Sequence, residues 1–247
     1  MLEIAQQKYD FYLNYSQEYE IGYIEQQYRR FYELYQLLLK TNIHKGYVLD
    51  IGTTPFTQYL QRNSPHIVFS IDYTGNFKKR CRDANIRFMQ HDITSDEIPY
   101  KENLFDIIIF TEVFEHLIAD PVRIFKKIYS MLNNNGYMLF GTPNLASLQK
   151  RILLMINKPI LDNPTWELDA HNVHGHGHNR IYLLDEVKDY ICKAGFIIDS
   201  IQYSSALDHV DIYDNTMQRI AKRVLMLPKL IIPSLRWGIH IMAKKCN

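Results

Sequence analysis

Five short apolar runs, spaced by stretches of helical character, constrain this chain more than any other feature. YVLDIG, HIVFSID, IRFMQHD, FDIIIFTEV and YMLFGTPN follow one another between residues 47 and 144. Each is the length of a strand, and strands alternating with helical segments at this spacing predict parallel βαβ units. The unbroken Ile107–Ile109 run suits a strand buried on both faces. The turn after the first run reads GTTPF, where Thr53 or Thr54 can cap a helix with Pro55 at its first position. Asp120-Pro121 starts a further helix through Met131-Leu132, and Gly136 opens the fifth strand.

Flanking segments complete one large α/β domain, the size expected of 247 residues. Residues 20–40 read as an amphipathic helix with Tyr28, Phe31, Tyr32, Tyr35, Leu38 and Leu39 at helical spacing. LLDEVKDYICKAG is a helix ending at Gly195, FIIDSIQYSS a strand and RWGIHIMAKK a last strand. The expected organisation is a helical extension over 1–45 and a domain over 46–247. That domain carries an irregular insertion at about 145–182 and a basic amphipathic helix at about 216–227.

A net charge of +1 argues against a general nucleic-acid binder, and no basic stripe crosses the presumptive core segments. Charge is nonetheless uneven, because no acidic residue follows Asp214. Cys81, Cys192 and Cys246 form neither a disulfide framework nor a zinc pattern, which fits a reduced, cytoplasmic setting. No apolar stretch reaches the roughly 20 residues of a spanning helix, and the first ten residues lack the pattern of a signal peptide. The expectation is a soluble protein, or one peripheral to the inner membrane face.

Chemistry is concentrated at the carboxyl ends of the runs, where open α/β sheets bind ligands. The turn at Gly52 presents backbone N–H groups and a helix N-terminus. Asp72 ends the second run 22 residues after Asp50, close to the spacing of about 20 at which nucleotide-binding folds place an acid on the ribose hydroxyls. Asp92 ends the third run, where it can accept from an adenine amino group. Acids at three consecutive strand ends point to a nucleoside.

The series VLDIG, SID, QHDI, FDIIIFTEVFEHL and LNNNGYMLFGTPN, in this order and spacing, resembles the class I methyltransferases. The resemblance implies a Rossmann-like fold with a seven-stranded, mostly parallel sheet of order 3-2-1-4-5-7-6, the last strand antiparallel, and helices on both faces. It also implies S-adenosylmethionine as cofactor. Asp50, Gly52 and Thr53 would then lie by its methionine end, Asp72 on its ribose, Asp92 and Ile93 on its adenine, and Thr111 and Glu112 beside the reacting centre. The first loop departs from the family, which usually has further glycines where this chain has Thr53 and Thr54. Their side chains would narrow the approach to the cofactor carboxylate, or their hydroxyls would donate to it.

Glu112-Val-Phe-Glu115-His116 narrows the resemblance to the Glu-x-x-Glu-His subgroup, similar to ubiquinone-type O-methyltransferases and small-RNA 2′-O-methyltransferases. In that subgroup the motif binds a divalent cation together with a later histidine. HNVHGHGHNRIYLLDEV offers His171, His174, His176 and His178; His178 is the first choice and His176 the second. Carboxylates with imidazoles suit Mg²⁺, Mn²⁺ or Zn²⁺. Without a metal, His116 serves as general base, with Glu115 beside it. The histidine-rich segment reads equally as a polar lid. Trp166 and Tyr182 read as ring-stacking or packing residues.

The function expected is methyl transfer to a hydroxyl of a sugar or glycan precursor, since the arrangement is similar to bacterial methyltransferases of cell-surface glycans. The alternatives are O-methylation of a quinone-like or phenolic molecule, and a non-catalytic cofactor-binding scaffold that holds a partner enzyme. The missing Gly-x-Gly-x-x-Gly counts against an NAD domain. The basic C-terminal helix either packs on the sheet or contacts an anionic membrane.

Overall fold

The computed structural model describes residues 21–161, 165–169, 172–206 and 227–246, with Gln6, Lys8 and Asp10. The order is α1 (Ile21–Lys40), β1 (Tyr47–Ile51), α2 (Pro55–Asn63), β2 (Ile67–Asp72), α3 (Lys78–Asp83), β3 (Arg87–Gln90) and β4 (Phe105–Thr111). After a 3₁₀ turn at Phe114–His116 come α4 (Pro121–Met131), β5 (Leu132–Pro143), α5 (Leu148–Met155), β6 (Thr165–Asp169) and β7 (Asn172–His176). The chain closes with α6 (Leu184–Lys193), β8 (Ile197–Ser204) and β9 (Gly238–Lys244).

Seven strands form one sheet in the order β3-β2-β1-β4-β5-β9-β8. Counting only those seven, this is the 3-2-1-4-5-7-6 order, with β9 antiparallel to both β5 and β8. The interior strands are apolar on both sides because each face carries helices. Alternation along β4 divides its side chains. Ile107 and Ile109 join Ile24, Phe31, Leu34, Leu37, Phe56 and Leu60 on one face. Ile108 and Phe110 join Ile124, Phe125, Ile128, Val187 and Ile191 on the other.

Local chemistry sets the element ends as expected at two places. Thr54 caps α2, its hydroxyl accepting from Phe56 N at 3.2 Å, with Pro55 in the first turn. Asp120 caps α4, accepting from Val122 N at 3.0 Å ahead of Pro121. Two expectations need correction. The fifth strand starts at Leu132 rather than Gly136, because Leu132 pairs with Phe105 and a register shift before Ile107 absorbs the intervening asparagines. Leu39 is half exposed, since successive helix positions lie about 100° apart and Leu38 already faces the core.

The insertion contains a β6–β7 hairpin, paired from Thr165↔His176 to Asp169↔Asn172, which the irregular composition concealed. Most of the basic helix expected at 216–227 lies outside the described residues, as does His171. At 227–231 the chain is helical.

Candidate active site

The carboxyl ends of β1, β2 and β4 converge on Gly52, and the site is built outward from there. Gly52 has φ +91°, and a Cβ there would lie 2.6 Å from Val113 Cγ2. Glycine is thus required both by backbone conformation and by the close approach of the β4 end. The two threonines that replace the usual glycines are engaged within the fold. Thr53 is buried, with Oγ1 2.8 Å from Ser70 Oγ, and the Thr54 hydroxyl makes the helix cap. The expected donation from these hydroxyls to a cofactor carboxylate therefore competes with bonds already made.

Asp50 is buried rather than open to the cleft, and its Oδ2 accepts from Thr57 Oγ1 at 2.5 Å. Burial pushes its carboxyl up to about 7, with the Thr57 bond and the Arg30 charge pulling the other way. Asp72 is held from both sides of its strand end. Oδ2 accepts from Thr53 N at 3.0 Å, and Oδ1 from Thr74 N at 2.9 Å and Thr74 Oγ1 at 3.1 Å. Asp72 is therefore oriented by the first loop, which links the two strand ends the sequence singled out.

Asp92 is exposed and accepts from Thr94 N and Thr94 Oγ1, both at 2.8 Å; the neighbouring Ile93 is buried. Two cations of α4 pin this loop. Lys127 Nζ donates to Ile93 O at 2.9 Å and to Ser95 O, while Arg123 bonds Asp96 and donates to Thr94 O at 2.6 Å. Sequence reasoning missed both cations. Their spacing of one helical turn was the available signal.

At the end of β4, Thr111 pairs with Gly141 of β5. Glu112 follows in the left-handed region, with φ +57°. A glutamate there costs about 1–3 kcal/mol, a strain that clusters at functional sites. Its carboxylate faces Arg30 of α1, Nη1 to Oε2 3.3 Å, with the arginine side chain 6% exposed and the glutamate 16%. Burial raises the Glu112 carboxyl above its usual range and Arg30 opposes that rise. Arg30 is a residue that sequence reasoning missed. One arginine in a polar-aromatic helix carries no local mark of facing a glutamate 82 positions away.

Glu115, His116 and His178 come together. Each offers one ligand atom, and the three atoms lie within 4.8 Å of one another. Glu115 is fully buried; Oε2 accepts from Thr142 Oγ1 at 3.1 Å, whereas Oε1 has no hydrogen-bond partner among the described residues. That oxygen is 4.0 Å from both His116 Nε2 and His178 Nε2. Burial, reinforced by the Glu112 charge, holds the Glu115 carboxyl well above the usual range.

His116 Nδ1 lies 2.8 Å from Gly177 O. A carbonyl only accepts, so this contact makes Nδ1 the donor, and in the neutral ring the lone pair is then on Nε2. The loop carrying His178 is fastened by backbone: Asn179 N and Arg180 N both donate to Glu115 O, at 2.8 and 3.1 Å. The structure thus joins the first-choice histidine to the motif. Glu112, expected among the same ligands, stands outside the group because Arg30 engages its carboxylate. His174 and His176 lie on the backbone of β7. Tyr182 is buried and stacks on Phe114 at 4.5 Å, a packing role.

The model of the methyltransferase domain family matches residues 23–201. A search of curated proteins finds no match. Among solved structures, an S-adenosylmethionine-dependent methyltransferase from Archaeoglobus fulgidus is similar with a TM-score of 0.56 and 19% identity, over 88% of this chain and 94% of that one. The 1,6-didemethyltoxoflavin-N1-methyltransferase of Burkholderia thailandensis, solved with 1,6-didemethyltoxoflavin and S-adenosylhomocysteine, has a TM-score of 0.58 and 14% identity, over 100% of this chain and 90% of that one. The [4+2]-cyclase SpnF is similar too, with a TM-score of 0.54 and 14% identity over 87% and 81%. Likeness at these identities concerns the fold alone, and a fold hosts several chemistries. The family match over most of the chain, joined to the sheet order and the acids at its strand ends, establishes that this chain belongs to the methyltransferase domain family as a class I S-adenosylmethionine-dependent methyltransferase.

Proposed function

We propose that this protein transfers the methyl group of S-adenosylmethionine to an oxygen nucleophile, and that it belongs to the Glu-x-x-Glu-His subgroup. The observation that carries this reading is the buried Glu115 oxygen, without a hydrogen-bond partner among the described residues and set 4.0 Å from two imidazole nitrogens. Such a donor set fits a divalent cation, with Glu115, His116 and His178 as the residues that would hold it. When bound, the cation lowers the pKa of an acceptor hydroxyl and orients it. The Gly177 carbonyl keeps the His116 lone pair on Nε2, so the same atom can take the acceptor proton when no cation is present.

Asp72, Asp92 and Ile93 are assigned to the nucleoside, with Gly52, Thr53 and Thr111 around the reacting end. Asp50 acts from within, by ordering the first loop through Thr57. Methyl transfer needs an in-line approach, so rate comes from positioning and from a deprotonated oxygen. The acceptor class we favour is a sugar hydroxyl of a glycan precursor, ahead of a quinone-like or phenolic molecule. The scaffold reading rests on the altered first loop, where the Thr53 and Thr54 hydroxyls are bonded within the fold, and weak S-adenosylhomocysteine binding would favour it.

Calorimetric titration with S-adenosylhomocysteine, with and without Mg²⁺, Mn²⁺ or Zn²⁺ and after chelation, tests the proposal. Cofactor binding that Asp72→Ala weakens, with cation binding that Glu115→Gln abolishes, is the expected result. Unchanged S-adenosylhomocysteine affinity in Asp72→Ala would refute the nucleoside assignment. Cation-independent behaviour throughout would leave His116 as the base.

A further inference from the structure

The loop after β3 carries the acid assigned to adenine, yet most of it lies at the surface. Asp92 and Asp96 are exposed, and Thr94 and Ser95 are half-buried. An exposed loop keeps a hydrogen-bonding group in one place only when a stiffer element holds the loop. Helix α4 is such an element, since Ile124, Phe125, Ile128 and Met131 are fully buried in the core. Arg123 and Lys127, one turn apart on it, both reach the loop.

Their bonds form two relays, each through a single peptide group. Lys127 Nζ donates to Ile93 O at 2.9 Å, and the N–H of the same peptide group, on Thr94, donates to Asp92 Oδ1 at 2.8 Å. Arg123 donates to Thr94 O at 2.6 Å, and the N–H of that peptide group, on Ser95, donates to Asp92 O at 3.1 Å. A trans peptide points its carbonyl and its N–H in opposite directions, so each cation fixes the plane that carries a bond to Asp92. A charged donor on the carbonyl also polarises the amide and strengthens the bond its N–H makes.

The relays differ in where they end and in how they are sheltered. The Lys127 relay ends on the carboxylate itself, and Lys127 is 7% exposed and donates to Ser95 O as well. Burial lowers the pKa of its amine, as does the nearby Arg123 charge, while the Asp96 and Asp92 charges oppose both. The Arg123 relay ends on main chain. Its ion pair with Asp96 is at the surface, the side chains 45% and 93% exposed, where such pairs contribute little. Both bonds to the Asp92 carboxylate, from Thr94 N and Thr94 Oγ1, fall on Oδ1. The second oxygen, Oδ2, can then accept from the amino group of a ligand.

We propose that Lys127 is a positioning residue for the cofactor: through the Ile93–Thr94 peptide group it holds the Asp92 carboxylate where the exocyclic amino group of adenine donates to it. The proposal rests on the assignment of Asp92 to adenine. A fixed carboxylate rewards a ligand that brings the amino group, whereas a wandering one first has to be ordered.

Calorimetric titration with S-adenosylhomocysteine and with its 6-deamino analogue, in which hydrogen replaces the amino group and N1 is unchanged, reads this recognition as a ratio of two affinities. Wild type should prefer the amino base by about tenfold or more, the worth of a hydrogen bond to a charged group. Lys127→Met should bring the ratio to within about twofold of one, mainly by weakening S-adenosylhomocysteine, whereas Arg123→Met should keep the wild-type preference. Lys127→Gln, whose amide still donates to one carbonyl, should fall between; its ratio decides the outcome if the urea midpoint shows that Lys127→Met does not fold. An unchanged ratio in the Lys127 variants would overturn the proposal even if both affinities fell together, because Lys127 would then serve the fold alone. Loss of the preference in Asp92→Ala would, in that case, leave the adenine assignment standing. A wild type that binds S-adenosylhomocysteine without discriminating, or an Asp92→Ala variant with the full preference, would instead refute the assignment of Asp92, and the proposal with it.

Discussion

Replacing Asp50 by Asn should make the protein's stability less sensitive to pH, by an amount that follows from where Asp50 lies. Its carboxyl is buried under the first loop and titrates at about 7 in the folded chain, against about 3.9 when unfolded. A raised folded value means that the native state holds a proton which the unfolded state gives up. Stability is therefore fully present below the unfolded pKa and declines as pH rises toward the folded one, by about 1.4 kcal/mol per pH unit. Across the whole window the loss is roughly 4 kcal/mol, and between pH 5 and 7 about 2 kcal/mol. The groups facing this carboxyl are Thr57, which donates to it, Arg30, which favours its charge, and Asp72, which opposes it. All three remain in the variant, as do Glu112 and Glu115, so the difference between the two proteins isolates position 50.

Asn cannot ionise, so its advantage over Asp should grow by about 2 kcal/mol from pH 5 to 7 and level off above about pH 8. Urea unfolding at half-unit steps of pH, followed by far-UV circular dichroism with constant m-values, would measure it. Parallel stability curves over that range would refute the reasoning. They would mean that Asp50 is ionised in the folded chain and that the site supplies more positive potential than Arg30 alone.

Three further outcomes follow from the site. Arg30→Met leaves the Glu112 carboxylate without its ion partner and should cost about 3 kcal/mol at pH 7, most of it recovered when Glu112→Gln is added; urea titration of the double-mutant cycle checks this. Gly52→Ala combines positive φ with a Cβ 2.6 Å from Val113, and should lower stability by about 2 kcal/mol and weaken S-adenosylhomocysteine binding, as measured by calorimetry. His116→Ala should retain wild-type affinity for S-adenosylhomocysteine and lose turnover by about a hundredfold or more in a tritiated-methyl transfer assay; reduced cofactor affinity would instead place His116 against the cofactor.

How much of this was legible in one dimension differed by element. The runs 47–52, 66–72 and 105–113 announced strands because residues alternate across a sheet with period two, and unbroken Ile meant helices on both sides. Thr54-Pro55 and Asp120-Pro121 announced helix starts because capping is settled within three residues. The same locality made Asp72 and Asp92 recognisable as strand-end acids, and the Glu-x-x-Glu-His motif recognisable as a unit. Leu39 and the start of β5 were misread because each depends on what packs against it. The first lost its place to Leu38, and the second gained a partner in Phe105.

By itself, then, the sequence determined what backbone periodicity and short-range hydrogen bonding can encode: the order of the strands along the chain, the helix caps and the acids at the strand ends. Tertiary structure alone decided that Asp50 turns inward to Thr57, that Arg30 of α1 reaches Glu112, and that His178 joins Glu115 and His116 while Glu112 does not. Arg30 and Glu112, and His178 and Glu115, are tens of residues apart, and even the seven-residue Asp50–Thr57 link depends on how a helix turns onto a strand end; all are selected by which faces bury apolar area together. A buried charge must then find an opposite charge or a hydrogen bond wherever that packing has put it.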